Sequence, residues 1–383
     1  MKFENSNYAK IWESKEGRQI VSAILNEKGF INPNYTFYLE KFKIDPTLTP
    51  VNEKGEATFT SYMRELQNAD MMDMRAPLGD TRTADKAGVA YYNGRIPDFA
   101  PAGFVETATE RYYKEKNFEQ FGDAALVAAY ATNELQRMFD SANMTLSYLA
   151  AKTLSEGASI YDMGNGIQSA IYKAAVPTEN FTTAGEKVWT DNTCRILDQM
   201  RAIEEKYKEA WGVDVSMQWE MDRDTFNECI LKNEQVIEWV RYYNSLNNVL
   251  LPENLQVIEE MAMPALAKFI GVSPIVIIEE KQKDVNKGIV RGWKQGVAVL
   301  RPQGYAGFIR KAAILDEEMY KKYANNVNTY NFTPALNGLG VVMNSVVANG
   351  NFKEWHTDLF VKAIPTLDEF LYHVIVDTTK ADV

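Results

Sequence analysis

Residues 271–307 read GVSPIVIIEEKQKDVNKGIVRGWKQGVAVLRPQGYAG. The β-branched run Pro274–Glu280 predicts a strand. Polar residues 281–288 lead to a second strand, Ile289–Trp293. A Lys294-Gln295-Gly296 turn then leads to a third, Val297–Arg301, followed by Pro302 and Gly304. Upstream, Pro252 at the first turn and Gly271 past the last predict a helix over 252–271. The stretch therefore reads as a small antiparallel sheet beside a helix, an α+β unit. It also runs against the charge of the chain. Lys281 to Lys311 holds eight basic residues and one acid, Asp284, in a protein of net charge −11. Such a run is a solvated basic face, or a face that meets an acidic neighbour such as another copy of the same chain.

Working outward, the tail returns to strand character in 360–365 and 370–377, with a turn at 367–369. Before the quoted stretch, Leu135, Met138, Phe139, Ala142, Leu146, Leu149, Ala150 and Thr153 repeat at three-and-four spacing, with no proline or glycine between Gly122 and Gly157. This predicts a helix over 123–157, about 52 Å long at ~1.5 Å per residue. A second helix is predicted over 190–211, with Gly212 as its C-cap. In 213–221 apolar Val213, Val215, Met217, Trp219 and Met221 alternate with polar residues including Glu220, a half-buried strand. Asp224 caps a short helix, 225–232.

The first third is different. Six of the 13 prolines fall within residues 1–101, so after a helix over 5–28 the chain to residue 60 reads as irregular. Residues 71–117 carry aromatic residues, methionines and both charge signs but little aliphatic core material. Folded back as a hairpin, this segment would reach roughly 75 Å at ~3.3 Å per residue. It cannot bury both faces on its own domain, so it is expected to pack on something else.

The inventory excludes several classes. With 46% hydrophobic residues among 383, the chain folds. No run approaches the 18 apolar residues of a membrane span, and the first residues lack a secretory pattern. Net charge −11 argues against a protein that grips DNA by its phosphates. The two cysteines, Cys194 and Cys229, are expected to be reduced core residues within helices. His356 and His373 stand alone, as surface or strand residues, with no metal or triad spacing. The two GxG matches, at 164–166 and 338–340, lack a third glycine. Asp316, Glu317 and Glu318 suit the first turn of a helix. No cofactor is expected.

The quoted stretch, with Gly296-Val-Ala-Val-Leu-Arg-Pro-Gln-Gly304 and Gly307, resembles the axial domain of tailed-phage major capsid proteins, most nearly the lambda-type major head proteins. Ala363-Ile-Pro-Thr-Leu-Asp-Glu-Phe-Leu-Tyr-His-Val-Ile-Val376 resembles the closing segment of that family. The likeness covers about residues 70–383. It implies an α+β, Hong Kong 97-like fold: an N-terminal arm (1–70), an extended loop (71–117), a peripheral domain with a spine helix (118–250), an axial domain (251–330) and a C-terminal return (331–383). It also implies a non-enzymatic virion protein that assembles into hexamers and pentamers around double-stranded DNA. Portal, scaffold and decoration proteins would be its partners, no membrane would be involved, and the host cytoplasm would be the place of assembly. Arg75, Arg82, Lys86 and Arg95 in the loop, and Arg291, Lys294 and Arg301 in the axial domain, are the expected intersubunit ion-pair residues. An encapsulin-type compartment and a soluble α+β enzyme are the alternatives.

Overall fold

The computed structural model describes residues 35–53, 56–64, 89–99, 102–107, 109–110, 112–113, 116, 124–162, 168–173, 176–211, 215–247, 249, 251–252, 256–284, 288–314, 331–349 and 352–382. The helices predicted at 5–28 and from Asp316 lie outside these residues.

In chain order, a helical turn α1 (Phe37–Lys41) leads into strand β1 (Phe42–Thr49), followed by β2 (Ala57–Arg64), β3 (Val89–Ile96) and β4 (Ala102–Glu106). The spine helix α2 (Ala124–Glu156) matches its predicted span, and every member of its predicted stripe is buried. Next come β5 (Ala158–Asp162), β6 (Gln168–Lys173), β7 (Phe181–Thr183), α3 (Ile196–Trp211) and β8 (Met217–Asp222). A π-helical turn, Phe226–Ile230, stands where a short helix was predicted. Then follow α4 (Glu234–Leu246), α5 (Glu259–Leu266), β9 (Ile275–Ile278), β10 (Gln282–Asp284), β11 (Gly288–Val290), β12 (Val297–Pro302) and β13 (Gly307–Ala312). The chain closes with β14 (Asn331–Ala335), β15 (Gly340–Asn349), β16 (Phe352–Val361), β17 (Ala363–Leu367), a 3₁₀ turn at Phe370–Tyr372 and β18 (Val374–Asp377).

One sheet organises the molecule, with strand order β7-β18-β12-β8-β9. Its two faces serve two cores, because successive side chains of a strand point to opposite faces. Val297, Val299 and Ile375 enter a core built on α2, with Leu146, Leu154, Phe42, Ile309 and Leu367. Ala298, Leu300, Val374 and Val376 enter a second core, with Trp189, Trp219, Met200 and Phe226. This two-sided burial explains why β12 and all of β8 but Gln218 are buried. Glu204 of α3, itself 3% exposed, ties the second core together. Its carboxylate accepts from Trp219 Nε1 at 2.6 Å and from the Ser273 backbone and hydroxyl, each at 2.7 Å.

Several expectations change. The strands at 275–278 and 297–302 do not pair with each other. β8 lies between them, parallel to β9 and antiparallel to β12. A boundary at residue 250 therefore runs through a single core, since residues on both sides of it share one sheet. The local hairpin is formed instead by β10 and β11, and β10 lies within residues 281–288, which were expected to be a turn. The helix expected over 252–271 covers 259–266. The chain to residue 60, read as irregular, holds β1 and the start of β2. Pro46 is accommodated where the β1–β13 register shifts between Ile44 and Leu48, a position where a strand tolerates proline. The glycines of the closing motif have distinct causes. Gly304 sits at φ 105°, and a Cβ on Gly307 would stand 2.0 Å from the Thr366 carbonyl oxygen.

Candidate assembly surfaces and the ties beneath them

The N-terminal segment is fastened to the body by two ionic ties. In the first, Glu220 is fully buried on the α2-facing side of β8. Arg301 of β12 grips it through Nε and Nη2, at 3.0 and 2.8 Å. Lys41, at the end of α1, reaches the same carboxylate at 2.7 Å. Arg301 Nη1 donates to the carbonyls of Pro302 and Gly304. Burial by itself would raise the Glu220 carboxyl, but Arg301 and then Lys41 outweigh it and hold it at about 2. Sequence reasoning missed this site. Glu220 reads as the solvent side of an amphipathic strand, and nothing local signals that Lys41 lies against it.

In the second tie Arg310 of β13 donates to Asp45 of β1 at 2.8 Å, to Ser61 of β2 at 2.9 Å and to Asp368 at 3.4 Å. It also lies over the Phe59 ring. β2 and β3 form a two-stranded ribbon whose faces differ. Ala57, Phe59, Ser61, Met63, Tyr92 and Ile96 point inward and are buried, and Tyr92 donates to the Leu367 carbonyl at 2.6 Å. Outward, Tyr62, Val89 and Tyr91 are exposed, the two tyrosines directly opposite each other. The expectation that 71–117 packs on something else is corrected for one face of its described part, which is buried on the chain's own body. Residues 89–96 join β2, and 102–106 join β16. The alternation of β2 and the aromatic residues of β3 supply one buried face.

Of the expected intersubunit residues, Arg75, Arg82 and Lys86 lie outside the described residues. Arg95 is exposed on the ribbon and pairs with Glu56. Arg291 pairs with Asp224 and with Asp222. Arg301 is a correction: it is 1% exposed and its ion pair lies within its own chain. Lys294 is exposed, and its backbone N–H bonds Ser155 of α2 at 2.9 Å. The basic run at 281–311 is therefore not one face, because three of its arginines turn to acids of the same chain.

His373 is buried rather than at the surface. Its Nε2 lies 2.7 Å from the Leu154 carbonyl, and burial pushes it down to about 4. Cys194 and Cys229 are free and buried, and burial pushes the Cys229 thiol up to about 12. Cys194 lies in the turn before α3 rather than within a helix. Grooves open between the described elements. One of about 630 Å³ lies between α4 and the start of α5, lined by Arg223, Lys232, Arg241 and Glu260. Another, of about 360 Å³, lies between α1 and β9. Among the described residues no helix is long and apolar enough to cross a membrane, and no cluster of His, Cys, Asp or Glu could hold a metal ion.

The architecture is shared with solved structures. A protein assigned as the capsid protein of a prophage in Escherichia coli CFT073 is 12% identical, with 94% of this chain and 98% of that one covered and a TM-score of 0.50. The chain has the tailed-phage capsid fold. Two further structures are similar at lower scores. One is a phage-related protein of Bordetella bronchiseptica RB50 (12% identity, 94% and 96% covered, TM-score 0.49). The other is the cyanophage A-1(L) capsid (11% identity, 90% and 92% covered, TM-score 0.42). No protein-family model and no curated protein matches the sequence. The expected α+β, Hong Kong 97-like class is thus the observed one.

Proposed function

We propose that this chain is the shell-forming major capsid protein of a tailed, double-stranded-DNA virus. Copies would gather in hexamers and pentamers and close into an icosahedral shell. The observation that carries this reading is the fold match over nearly the whole of both chains, 94% and 98%. Two features of the surface support it. The outer face of the ribbon leaves Tyr62, Val89 and Tyr91 in solvent, the kind of apolar surface that another copy covers. The net charge of −11 keeps packaged DNA from sticking to the wall.

A structural role also agrees with where the reactive residue types sit. Both cysteines and His373 are packed in the cores, and His356 lies half-buried in β16 beside Glu354 at 3.6 Å. Lys294, with Arg75, Arg82 and Lys86, keeps its proposed intersubunit role, and the exposed part of Arg95 and Arg291 adds to it. Portal, scaffold and decoration proteins would be the partners, and the virion, built in the host cytoplasm, the destination.

The test is electron microscopy and size-exclusion chromatography of the purified chain. Particles tens of nanometres across are expected, and nucleic acid within them separates a viral shell from a compartment loaded with an enzyme. A stable monomer that forms no particles at any concentration or salt would overturn the reading.

A further inference from the structure

The groove between α1 and β9 has an unusual floor. β9 is the last strand of the five-stranded sheet, so one of its edges has no neighbour among the described residues. The Trp219 N–H donates to the Pro274 carbonyl at 2.8 Å. With the parallel register Trp219↔Ile275, this turns the backbone groups of Pro274, Val276 and Ile278 toward β8. The N–H and C=O of Ile275 and Ile277 then face the open edge. The strand is Ile-Val-Ile-Ile, without a charge, a proline or a bulge. Natural sheets use such devices to keep an edge from pairing, and an edge that lacks them is a template for another strand.

The same groove holds a buried acid, met in part by the Gln282 side chain and by the backbone at Gly292 and Trp293. Glu280 lines it, is 4% exposed, and its Oε1 has no hydrogen-bond partner among the described residues. Its other oxygen accepts from the Gly292 N–H at 2.7 Å. Burial raises this carboxyl above its ordinary value. Arg291, whose charge also acts on it, is held by Asp222 and Asp224, and Lys281 of the same chain lines the groove beside it. The wall opposite β9 is Tyr35, Phe37, Glu40 and Lys41. Lys41 is spent on Glu220, and the chain that follows it is spent on β13.

We infer that the β9 edge is a strand-addition site for a second copy of this chain, whose extended segment pairs with Ile275 and Ile277 and brings a basic side chain to Glu280. The backbone edge supplies affinity and the buried carboxylate fixes register, the usual division of work in β-augmentation. An incoming cation completes an acid that is costly to leave alone in a dry site. This inference rests on the shell reading for the presence of neighbouring copies.

The test uses the full chain. p-Benzoylphenylalanine is placed at position 276 in place of valine, and this chain is mixed during assembly with unmodified ¹⁵N-labelled chain. Irradiation should join light chains to heavy ones, with the heavy peptide carrying Lys or Arg. In a second arm, Ile277→Pro removes the outward N–H, whereas Ile277→Ala removes the same packing and keeps it. Ile277→Pro should assemble only at roughly tenfold higher protein concentration than Ile277→Ala, the effect of one or two lost backbone bonds. Should Ile277→Pro fail to fold, the cross-link decides. Particles that form without a light–heavy cross-link, or with cross-links confined to one chain, overturn the strand-addition site alone. Equal assembly of folded Pro and Ala variants does the same. An absence of particles removes the shell reading along with it.

Discussion

Arg301 and Arg310 stand nine positions apart in one basic run, yet they solve opposite problems. Arg301 is 1% exposed and shares a single carboxylate, Glu220, with Lys41. Two cations and one anion meet there, in a dry layer between sheet and spine helix. Arg310 keeps 17% of its side chain exposed and has two carboxylates, Asp45 and Asp368, with the Ser61 hydroxyl between them. Each tie fastens the N-terminal segment, the first at Lys41 and the second at Asp45. The lesson is one of environment. Where water is excluded, the carboxylate is gripped bidentately and the arginine's third nitrogen is met by carbonyls. Where water reaches the edge, a looser and more anionic arrangement suffices.

That contrast breaks most clearly at Glu220. Glu220→Ala leaves Arg301 and Lys41 buried without a counter-charge, and denaturant unfolding should show a loss of about 3–5 kcal/mol. Leu146→Ala, in the apolar layer beneath the tie, should cost about 2–5 kcal/mol by the same measurement, as core truncations do. Asp368→Asn should cost only about 1–2 kcal/mol, because Asp45 still holds Arg310 and water reaches the site. Equal losses for Glu220→Ala and Asp368→Asn would erase the distinction between the two ties.

Acid sharpens the comparison further. The folded Glu220 carboxyl is depressed from 4.5 to about 2, so its stabilisation is present above pH 4.5 and fades as pH falls toward 2. Burial raises Asp368 above its ordinary 3.8. It therefore favours the fold below that value and loses the contribution as pH rises through its folded value. Thermal melts should then show a shallower acid limb for Glu220→Gln and a steeper one for Asp368→Asn. His373, depressed from 6.5 to about 4, adds a loss as pH falls between those values, and His373→Gln should flatten that interval. The smallest effect belongs to the exposed pair of Arg95 with Glu56. Arg95→Ala should change the stability of the unassembled chain by less than about 1 kcal/mol, and assembly yield is the readout that would register a contact with a neighbour.

The spine helix was legible because its whole signal lies within one face of one segment, from Leu135 to Thr153. The fold was legible from the ordered motif 296–307 and the segment 363–376, whose glycines answer to turns at Gly296 and Gly304 and to a close approach of two strands at Gly307. The ribbon was not legible: Pro46 and Pro50 suggested irregular chain to residue 60, a register shift absorbs the first of them, and β2 finds its partner β3 only through a long-range pairing. The arginines misled for a different reason. A basic run in sequence says nothing of which acids arrive from 45, 220, 222, 224 and 368 residues into the chain.

By itself, then, the amino-acid order determined the long helix, the run of short β-branched strands and the absence of the commonest catalytic spacings, since these depend on periodicity and residue type within a few turns of chain. Tertiary structure alone decided which strand lies between β9 and β12, which face of that sheet serves which core, and that Glu220 is an interior anion. Those outcomes depend on long-range pairing, where a carboxylate's surroundings come from segments that no local pattern records.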